Sequence, residues 1–218
     1  GQPNVGKSML INSISNARLK VGNFSGVTVS KEQVFFDYKN FHIEIVDLPG
    51  AYSLNDYTIE EKVTKDFLNN EKYDIILNVL DSTNLQRNLL LTAELLTLDK
   101  KMIIALNMSD EAEKESILID EIQLSKILGK PCIKTSAAKK NGITKLLDEI
   151  LLKFQSQKVP SKFFFSNVIE EEIENISRVL EENKYETTET YRQISLGLLK
   201  ENKNIYKQFH DEPIWIKI

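Results

Sequence analysis

The first eight residues of the chain have the residue types and spacing of a phosphate-binding loop: Gly1, Gln2, Pro3, Asn4, Val5, Gly6, Lys7 and Ser8. In such a loop the glycines let the backbone wrap closely around phosphates, so that its N–H groups point inward. Lys7 is expected to reach the β- and γ-phosphates, and the Ser8 hydroxyl is expected to bind Mg²⁺. The motif restricts the chain to the P-loop α/β folds, but it does not separate ATP from GTP.

A phosphate-binding loop normally connects a β-strand to a helix. A helix pattern follows the loop here, but the sequence starts at Gly1 with no strand before it. We therefore expect that the first strand of the sheet is missing from this chain.

Strand and helix patterns alternate along the chain as far as Phe154. Nearly continuous apolar runs are typical of buried parallel strands, and Thr58 with Glu61 three residues later predicts a capping box at a helix start. The alternation predicts a doubly wound, mostly parallel α/β sheet of the Ras-like P-loop GTPase kind, which binds ligands at the carboxyl ends of its strands. The predicted strands are residues 34–38, 41–46, 74–80, 102–107 and 132–135, and the predicted helices are residues 7–15, 58–69, 85–97, 119–128 and 143–154.

A second motif, Asp47-Leu48-Pro49-Gly50, follows the predicted strand 41–46. In P-loop proteins an aspartate at this place holds Mg²⁺ through water, and the glycine N–H contacts the γ-phosphate. Ras-like proteins continue with a glutamine that orients the attacking water. Ala51 stands at that position here, so hydrolysis is expected to be slow, and the sequence identifies no catalytic base.

A third motif, Asn107-Met108-Ser109-Asp110, follows the predicted strand 102–107. The Asp110 carboxylate can accept hydrogen bonds from N1–H and the exocyclic amino group of guanine, an edge that adenine does not present. Asn107 is expected to brace the loop around the base. The segment Thr135-Ser136-Ala137 is expected to offer a backbone N–H near guanine O6.

Each of these turns alone could also be an ordinary capping turn. Together they occur in the order found in GTPases, each at the end of a predicted strand, and this order predicts a guanine-nucleotide site. The segment Gly26-Val27-Thr28 lies where GTPases carry switch I, between the first helix and the second strand. The Thr28 hydroxyl is expected to complete the Mg²⁺ shell when a γ-phosphate is bound, so Lys7 and Thr28 are candidate catalytic residues.

The composition argues against several other classes of protein. With 28 Lys and Arg against 32 Asp and Glu, the net charge of −4 offers no basic surface for nucleic acid. The longest apolar runs are far too short to span a membrane. The single cysteine, Cys132, lies in an apolar stretch and is expected to be a buried, unreactive thiol.

The pattern changes after Phe154, where residues 155–161 are polar and contain Pro160, as in a linker. We therefore predict a GTPase (G) domain over residues 1–157 and a small helical subdomain over residues 158–218. A strand-like stretch, 214–218, ends the chain. Apolar residues recur at helical spacing in the subdomain, namely Ile169, Ile173, Ile176, Leu180, Tyr191, Ile194 and Leu198.

The residues around these motifs resemble the cytoplasmic G domain of the FeoB family of bacterial ferrous iron transporters, over residues 1–155. The helical tail is similar to the family's subdomain that modulates nucleotide dissociation. The resemblance implies a slow GTPase that regulates ferrous iron transport by a membrane domain absent from this chain, at the cytoplasmic face of the inner membrane. It leaves the oligomeric state open. The resembling stretches are residues 21–29, 47–54, 84–91 and 107–113.

The resemblance also implies activation by K⁺. In the family, an asparagine matching Asn4 and backbone carbonyls matching Gly22 and Phe24 hold a monovalent cation beside the phosphates, which makes Asn4 a third candidate catalytic residue. The commonest family pattern has Trp-Pro where Phe24 and Ser25 stand here.

Two alternatives stay open. One is a soluble ribosome-assembly GTPase, which would need a basic appendage, whereas the tail is acidic from Glu170 to Glu182. The run Glu170-Glu171-Glu172 is expected to be a solvated helix face. The other alternative is a binding module that holds GDP with negligible turnover, which the missing glutamine at Ala51 would explain.

Overall fold

The computed structural model describes residues 1–14, 18–24, 27–54, 57–157, 163–187 and 189–210, apart from the side chains of Arg18, Leu19, Asn204, Gln208 and His210. The chain divides into two compact units, Gly1–Ser161 and Lys162–Ile218. The predicted boundary after residue 157 falls close to this division, while the identity of each unit stays a prediction. The predicted strand-like stretch 214–218 lies outside the described residues.

The first sheet is antiparallel and contains β1 (Arg18–Asn23), β2 (Ser30–Tyr38) and β3 (Phe41–Asp47) in that order. A tight turn joins β2 to β3, with Lys39 at a left-handed φ of 53°, as the hairpin pattern predicts. Strand β1 was not predicted, because the sequence predicts a switch I loop in this region. Its residues pair along the outer edge of β2, so a tertiary partner, rather than its own residue pattern, makes it a strand.

The second sheet is parallel, in the order β4 (Ile76–Asp81), β5 (Met102–Asn107) and β6 (Cys132–Lys134). Every residue of the central strand β5 is buried, which explains its unbroken apolar run. Burial also raises the pKa of the Cys132 thiol to about 11, so this cysteine is protonated at neutral pH. The carboxyl ends of β4, β5 and β6 meet at one edge, where the loops of the site begin.

Helices surround these sheets in the first unit, and three differ from the sequence prediction. Helix α1 ends at Asn12, earlier than predicted, and Ser15 lies outside the described residues. Helix α4 was not predicted, since its six residues are too few to show a period. At the start of α2, Thr58 accepts from the Glu61 amide as predicted, but the Glu61 carboxylate accepts from the amides of Ser53 and Tyr57. The helices are α1 (Lys7–Asn12), α2 (Ile59–Asn70), α3 (Leu85–Leu96), α4 (Ser109–Lys114), α5 (Glu121–Leu128) and α6 (Ile143–Gln155).

The second unit contains three helices among its described residues: α7 (Asn167–Glu182), α8 (Tyr191–Leu199) and α9 (Lys203–His210). Ile176, Leu180, Ile194 and Leu198 form its core together with Phe209, in agreement with the predicted spacing. Ile169, by contrast, is 40% exposed, so the predicted apolar stripe begins one turn later. None of the helices in the described part of the chain has the length and apolar character that a membrane span requires.

In the run predicted as a solvated acidic face, Glu171 and Glu172 are exposed as predicted, whereas Glu170 is a correction. Its carboxylate accepts from Arg192 Nη1 at 2.6 Å and from Arg192 Nη2 at 2.7 Å, and both side chains are about 15% exposed. Arg192 Nη2 also donates to the carbonyl of Phe163 at 2.8 Å. A two-pronged ion pair this well shielded from water ties α7, α8 and the segment before α7 together.

Replacing Glu170 with alanine is expected to lower the free energy of unfolding of the second unit by about 2–4 kcal/mol, because Arg192 loses its carboxylate partner inside the unit. Urea denaturation followed by circular dichroism measures the change. Glu171→Ala is the matched control, since Glu171 is exposed on the same helix. Equal losses in both variants would show that the ion pair contributes no stability.

Candidate nucleotide-binding site

The phosphate-binding loop has the backbone geometry that its glycines predict. Gly6 has a left-handed φ of 81°, and a side chain there would come within 2.5 Å of Asn107 Nδ2. A Cβ on Gly1 would lie 2.2 Å from the carbonyl oxygen of Val79 on β4. Asn4 also has a left-handed φ, 63°, which asparagine tolerates better than most residues. Glycine is therefore required at positions 1 and 6 for close backbone approach.

Lys7 begins helix α1 and turns back over the loop. Its ammonium donates to the carbonyl of Gln2 at 2.9 Å and lies 3.4 Å from the carbonyl of Gly1. Burial lowers the pKa of Lys7, and the nearby Asp47 carboxylate opposes that shift. A partly desolvated ammonium held by neutral carbonyls gains energy when an anionic ligand approaches.

Ser8 and Asp47 are brought together, as a Mg²⁺ site requires. The Ser8 hydroxyl donates to Asp47 Oδ2 at 3.4 Å, although the two residues lie far apart in sequence. Burial raises the pKa of Asp47, with Lys7 acting in the opposite direction. Hydroxyl and carboxylate oxygens fit Mg²⁺, which takes one or two protein ligands and completes its shell with phosphate and water. No cluster of three or more His, Cys, Asp or Glu ligands occurs among the described residues.

The turn from Asp47 to Gly50 packs directly against the phosphate-binding loop. A Cβ on Gly50 would lie 2.8 Å from the backbone of Pro3, so only glycine fits. Thr64 on α2 donates to the carbonyl of Pro49 at 3.1 Å. The following residue, Ala51, is 1% exposed and offers no side chain that could orient water. Leu48 lies within the Asp47–Gly50 turn.

Asn107 connects three loops. Its Nδ2 donates to the Val5 carbonyl at 3.0 Å, and its Oδ1 accepts from the Ala137 amide at 3.1 Å. The Thr135 hydroxyl lies 3.4 Å from the same oxygen. Since Asn107 is 1% exposed, these bonds form in a water-poor environment, and they fix the phosphate loop relative to the predicted base-binding segment.

Asp110 lies just beyond Asn107, at the start of α4. Met108, the residue between the strand and α4, has a left-handed φ of 57°, and the Ser109 amide donates to the Thr135 carbonyl at 3.0 Å. A hydrogen bond from Ser136 lowers the pKa of Asp110, and the Lys139 ammonium, 3.4 Å from Oδ2, acts in the same direction. Asp110 is therefore ionised at neutral pH and ready to accept N–H donors.

The segment predicted as switch I follows strand β1 and precedes β2. Thr28 is exposed, and in the described part of the chain no hydrogen bond joins it to Ser8 or Asp47. Gly22 pairs with Lys31 in the β1–β2 ladder, and the Phe24 carbonyl accepts from the Val27 amide at 3.3 Å. The β1–β2 hairpin thus engages Gly22 and Phe24 in this conformation, and the Mg²⁺ role of Thr28 and the cation roles of Gly22 and Phe24 stay predictions. Gly26 lies outside the described residues.

The sequence did not predict three contacts around this site. Gln2, which is 3% exposed, donates from its side chain to the Arg87 carbonyl on α3 at 2.8 Å. The Arg87 guanidinium lies 4.7 Å from the centre of the Tyr52 ring, and Glu94, also on α3, accepts from the Leu54 amide at 2.6 Å. Only the position of Gln2 inside the phosphate loop could have hinted at the first contact. Helix α3 therefore supports both the phosphate loop and the loop after Gly50.

Comparison with known proteins agrees with this arrangement. The family model for ferrous iron transport protein B matches residues 1–150. Fe(2+) transporter FeoB of Helicobacter pylori is 57% identical over 174 residues, which cover 75% of this chain and 27% of the relative. A Porphyromonas gingivalis Fe(2+) transport protein A/FeoB fusion protein is 34% identical over 218 residues, 98% of this chain and 26% of the relative. This chain thus spans about a quarter of the length of those relatives.

Solved structures give the same answer. The cytosolic domain of the Thermotoga maritima FeoB iron transporter in its GMPPNP form superposes with a TM-score of 0.85 and 33% identity, covering 95% of this chain and 82% of that one. The cytosolic domain of Legionella pneumophila FeoB has a TM-score of 0.79 and 36% identity, covering 94% and 87%. The fold class predicted from the sequence, an α/β P-loop GTPase fold with a helical part, is therefore confirmed. Within that class, the chain belongs to the FeoB family of ferrous iron transport proteins.

Asn107 has no proposed contact with a ligand, so removing its side chain is expected to act only by destabilising the loops that it connects. Asn107→Ala leaves the Val5 carbonyl and the Ala137 amide buried without this partner, at a cost of about 2–3 kcal/mol in the free energy of unfolding. Chemical denaturation without nucleotide measures this loss. Asn69→Ala, at an exposed position on α2, is the control. A loss no larger than the control's would refute the bracing role.

Proposed function

We propose that this chain binds GTP and GDP with Mg²⁺ and hydrolyses GTP slowly. The observation that carries the proposal is the Asn107 side chain, which holds the phosphate loop and the base-binding segment at one edge of the parallel sheet. The T. maritima relatives, whose structures are described as GMPPNP and GDP forms, support this choice of nucleotide.

Guanine recognition is assigned to Asp110, with the segment Thr135-Ser136-Ala137 near guanine O6. The ionised Asp110 side chain is only 10% exposed, so little water competes for its carboxylate. Hydrogen bonds from the two N–H donors of guanine would therefore be strong. Adenine lacks that pair of donors, and its amino group would meet backbone N–H groups rather than acceptors. Ser136 and Asn107 then hold the loop rather than the base.

Phosphate and metal binding are assigned to the phosphate-binding loop together with Asp47. Lys7 would move from the carbonyls of Gly1 and Gln2 to the β- and γ-phosphates, while Ser8 and Asp47 would hold Mg²⁺ directly and through water. The metal ion supplies positive charge to the phosphoryl oxygens as the bond to the leaving group breaks. The Gly50 amide, at the end of the adjacent turn, is placed for the γ-phosphate.

Hydrolysis requires Thr28 to leave its exposed position and approach Ser8 and Asp47. We further propose that K⁺, held by Asn4 and by carbonyls of Gly22 and Phe24 after switch I rearranges, stabilises charge on the phosphoryl oxygens. The competing function, a module that holds GDP with negligible turnover, is favoured by the buried Ala51 in place of a water-orienting side chain. The salt dependence of hydrolysis separates the two.

For the whole protein we propose a regulatory role in ferrous iron transport. The family's members are named as Fe(2+) transporters, and this chain corresponds to about a quarter of their length. In this proposal the chain lies at the cytoplasmic face of the bacterial inner membrane, and its partner is the membrane-spanning remainder of the same protein. The first unit acts as the GTPase domain and the helical unit modulates GDP release.

Base choice is tested by Asp110→Asn. The amide leaves the N1 and N2 donors of guanine poorly matched, so GDP affinity should fall by about 3 kcal/mol or more, or at least a hundredfold. Xanthine nucleotides, whose edge matches an amide, should gain affinity. Competition binding measures both values. Unchanged GDP affinity in this variant would refute the assignment of Asp110.

The cation proposal is tested by GTP hydrolysis in K⁺ and in Na⁺ at equal ionic strength. K⁺ should accelerate hydrolysis on the order of a few hundredfold if one such charge stabilises the transition state. Asn4→Gly should remove the acceleration, and because glycine accepts the left-handed φ of this position, it removes the side chain without adding strain. Equal rates in both salts for the unmodified chain would favour the GDP-holding module.

A further inference from the structure

A cluster of three aromatic side chains holds switch I against helix α2. Phe24 contacts Phe67 edge to face, with ring centroids 6.1 Å apart. Phe67 in turn stacks on Tyr73, with centroids 6.2 Å apart. We call these three side chains the aromatic latch. It connects a residue just after β1 to the C-terminal half of α2.

The burial of Phe24 is exceptional within its segment. Its neighbours Val21, Gly22 and Asn23 are exposed, as are Thr28 and Ser30, whereas Phe24 is only 9% exposed. An exposed hairpin with one buried ring is held by that ring, because burial of an aromatic side chain is the main apolar gain that the segment makes. Phe24 is therefore the anchor of switch I in this structure.

Charged and polar groups reinforce the latch. The Lys31 ammonium on β2 lies 5.8 Å from the ring centroids of both Phe24 and Phe67. The Tyr73 hydroxyl donates to the Leu68 carbonyl at 2.7 Å, which fixes its ring beside α2, and burial raises its pKa to about 12. The ammonium gains cation–π attraction from both phenyl rings while they stay together.

The backbone around Phe24 explains why the latch matters for the site. The Phe24 amide donates to the Val29 carbonyl at 2.9 Å, and the Phe24 carbonyl accepts from the Val27 amide. These bonds close the loop that contains Thr28 and leave that residue exposed. In this closed form no hydrogen bond within the described residues joins Thr28 to Ser8 or Asp47.

Through helix α2 the latch is also connected to the Asp47–Gly50 turn. Phe67 lies one helical turn after Thr64, whose hydroxyl donates to the Pro49 carbonyl in the turn beside the phosphate loop. Helix α2 thus contacts switch I through Phe67 and the Asp47–Gly50 turn through Thr64. A shift of this helix would therefore change the contacts of both switch I and the Asp47–Gly50 turn.

We propose that the aromatic latch is a conformational switch that stabilises a resting position of switch I, and that binding of a γ-phosphate with Mg²⁺ must release it. This inference rests on the proposed function, since it assigns Thr28 its role only in the released state. In the latched state Thr28 and the carbonyl of Phe24 are withheld from the metal ions. The latch therefore reduces the apparent affinity for GTP but leaves GDP binding unaffected, because GDP does not require Thr28.

The test compares Phe67→Leu and Tyr73→Leu with the unmodified chain. Both variants remove one ring from the latch, and neither residue belongs to the proposed nucleotide or cation site. Phe154→Leu is the matched control, because Phe154 makes a similar edge-to-face contact with Phe41, with centroids 5.9 Å apart, outside the site. Hydrogen–deuterium exchange of residues 18–31 measures opening of the hairpin, and binding of GMPPNP with Mg²⁺ and of GDP measures the consequence.

Both latch variants should exchange faster over residues 18–31 by roughly twofold to tenfold, the range expected for one aromatic contact. Their Kd for GMPPNP should fall by a similar factor, while the Kd for GDP stays unchanged. Hydrogen–deuterium exchange and GMPPNP affinity equal to those of Phe154→Leu would refute the proposal that the latch holds switch I. A chain that binds neither nucleotide would instead overturn the proposed function.

Discussion

The rest of the site depends on the buried amide of Asn107. It donates to the phosphate-binding loop and accepts from the segment after β6, so it joins the two halves of the nucleotide site at the carboxyl end of the central parallel strand. Because the bonds are shielded from water, they orient the loops more strictly than exposed hydrogen bonds would. Asp110, Lys7 and the Ser8–Asp47 pair take their positions from this fixed frame.

Around that frame the molecule divides into fixed and movable parts. Close backbone contacts at Gly1, Gly6 and Gly50 leave no room for a side chain, so the phosphate loop and the Asp47–Gly50 turn form one rigid layer. Switch I is different, since a single buried ring and a short antiparallel pairing hold it. A protein that must respond to a γ-phosphate needs this contrast, because only a weakly held element can change position on ligand binding.

Much of the fold could be predicted from the sequence because its signals are local. The buried strand Met102–Asn107 and the β2–β3 hairpin follow directly from apolar runs and alternation. Strand β1 could not be predicted, since its pairing with β2 is a tertiary interaction that the segment's own residues do not encode. The Glu170–Arg192 ion pair could not be predicted for the same reason, because its partners lie 22 residues apart. An acidic run in a sequence is interpreted as solvent-exposed unless a cation is known to lie opposite it. In the site, motif order predicted which side chains meet, whereas the exposed position of Thr28 goes with the β1–β2 pairing beside it, which no motif specifies.

The central claim is that this frame selects a guanine nucleotide. The most direct measurement is displacement of a fluorescent GDP analogue from the unmodified chain by unlabelled GDP and ADP, each with Mg²⁺. Our account predicts displacement by GDP at least a hundredfold more effective than by ADP, since only guanine offers two donors to Asp110. Displacement by both nucleotides at similar concentrations would contradict it.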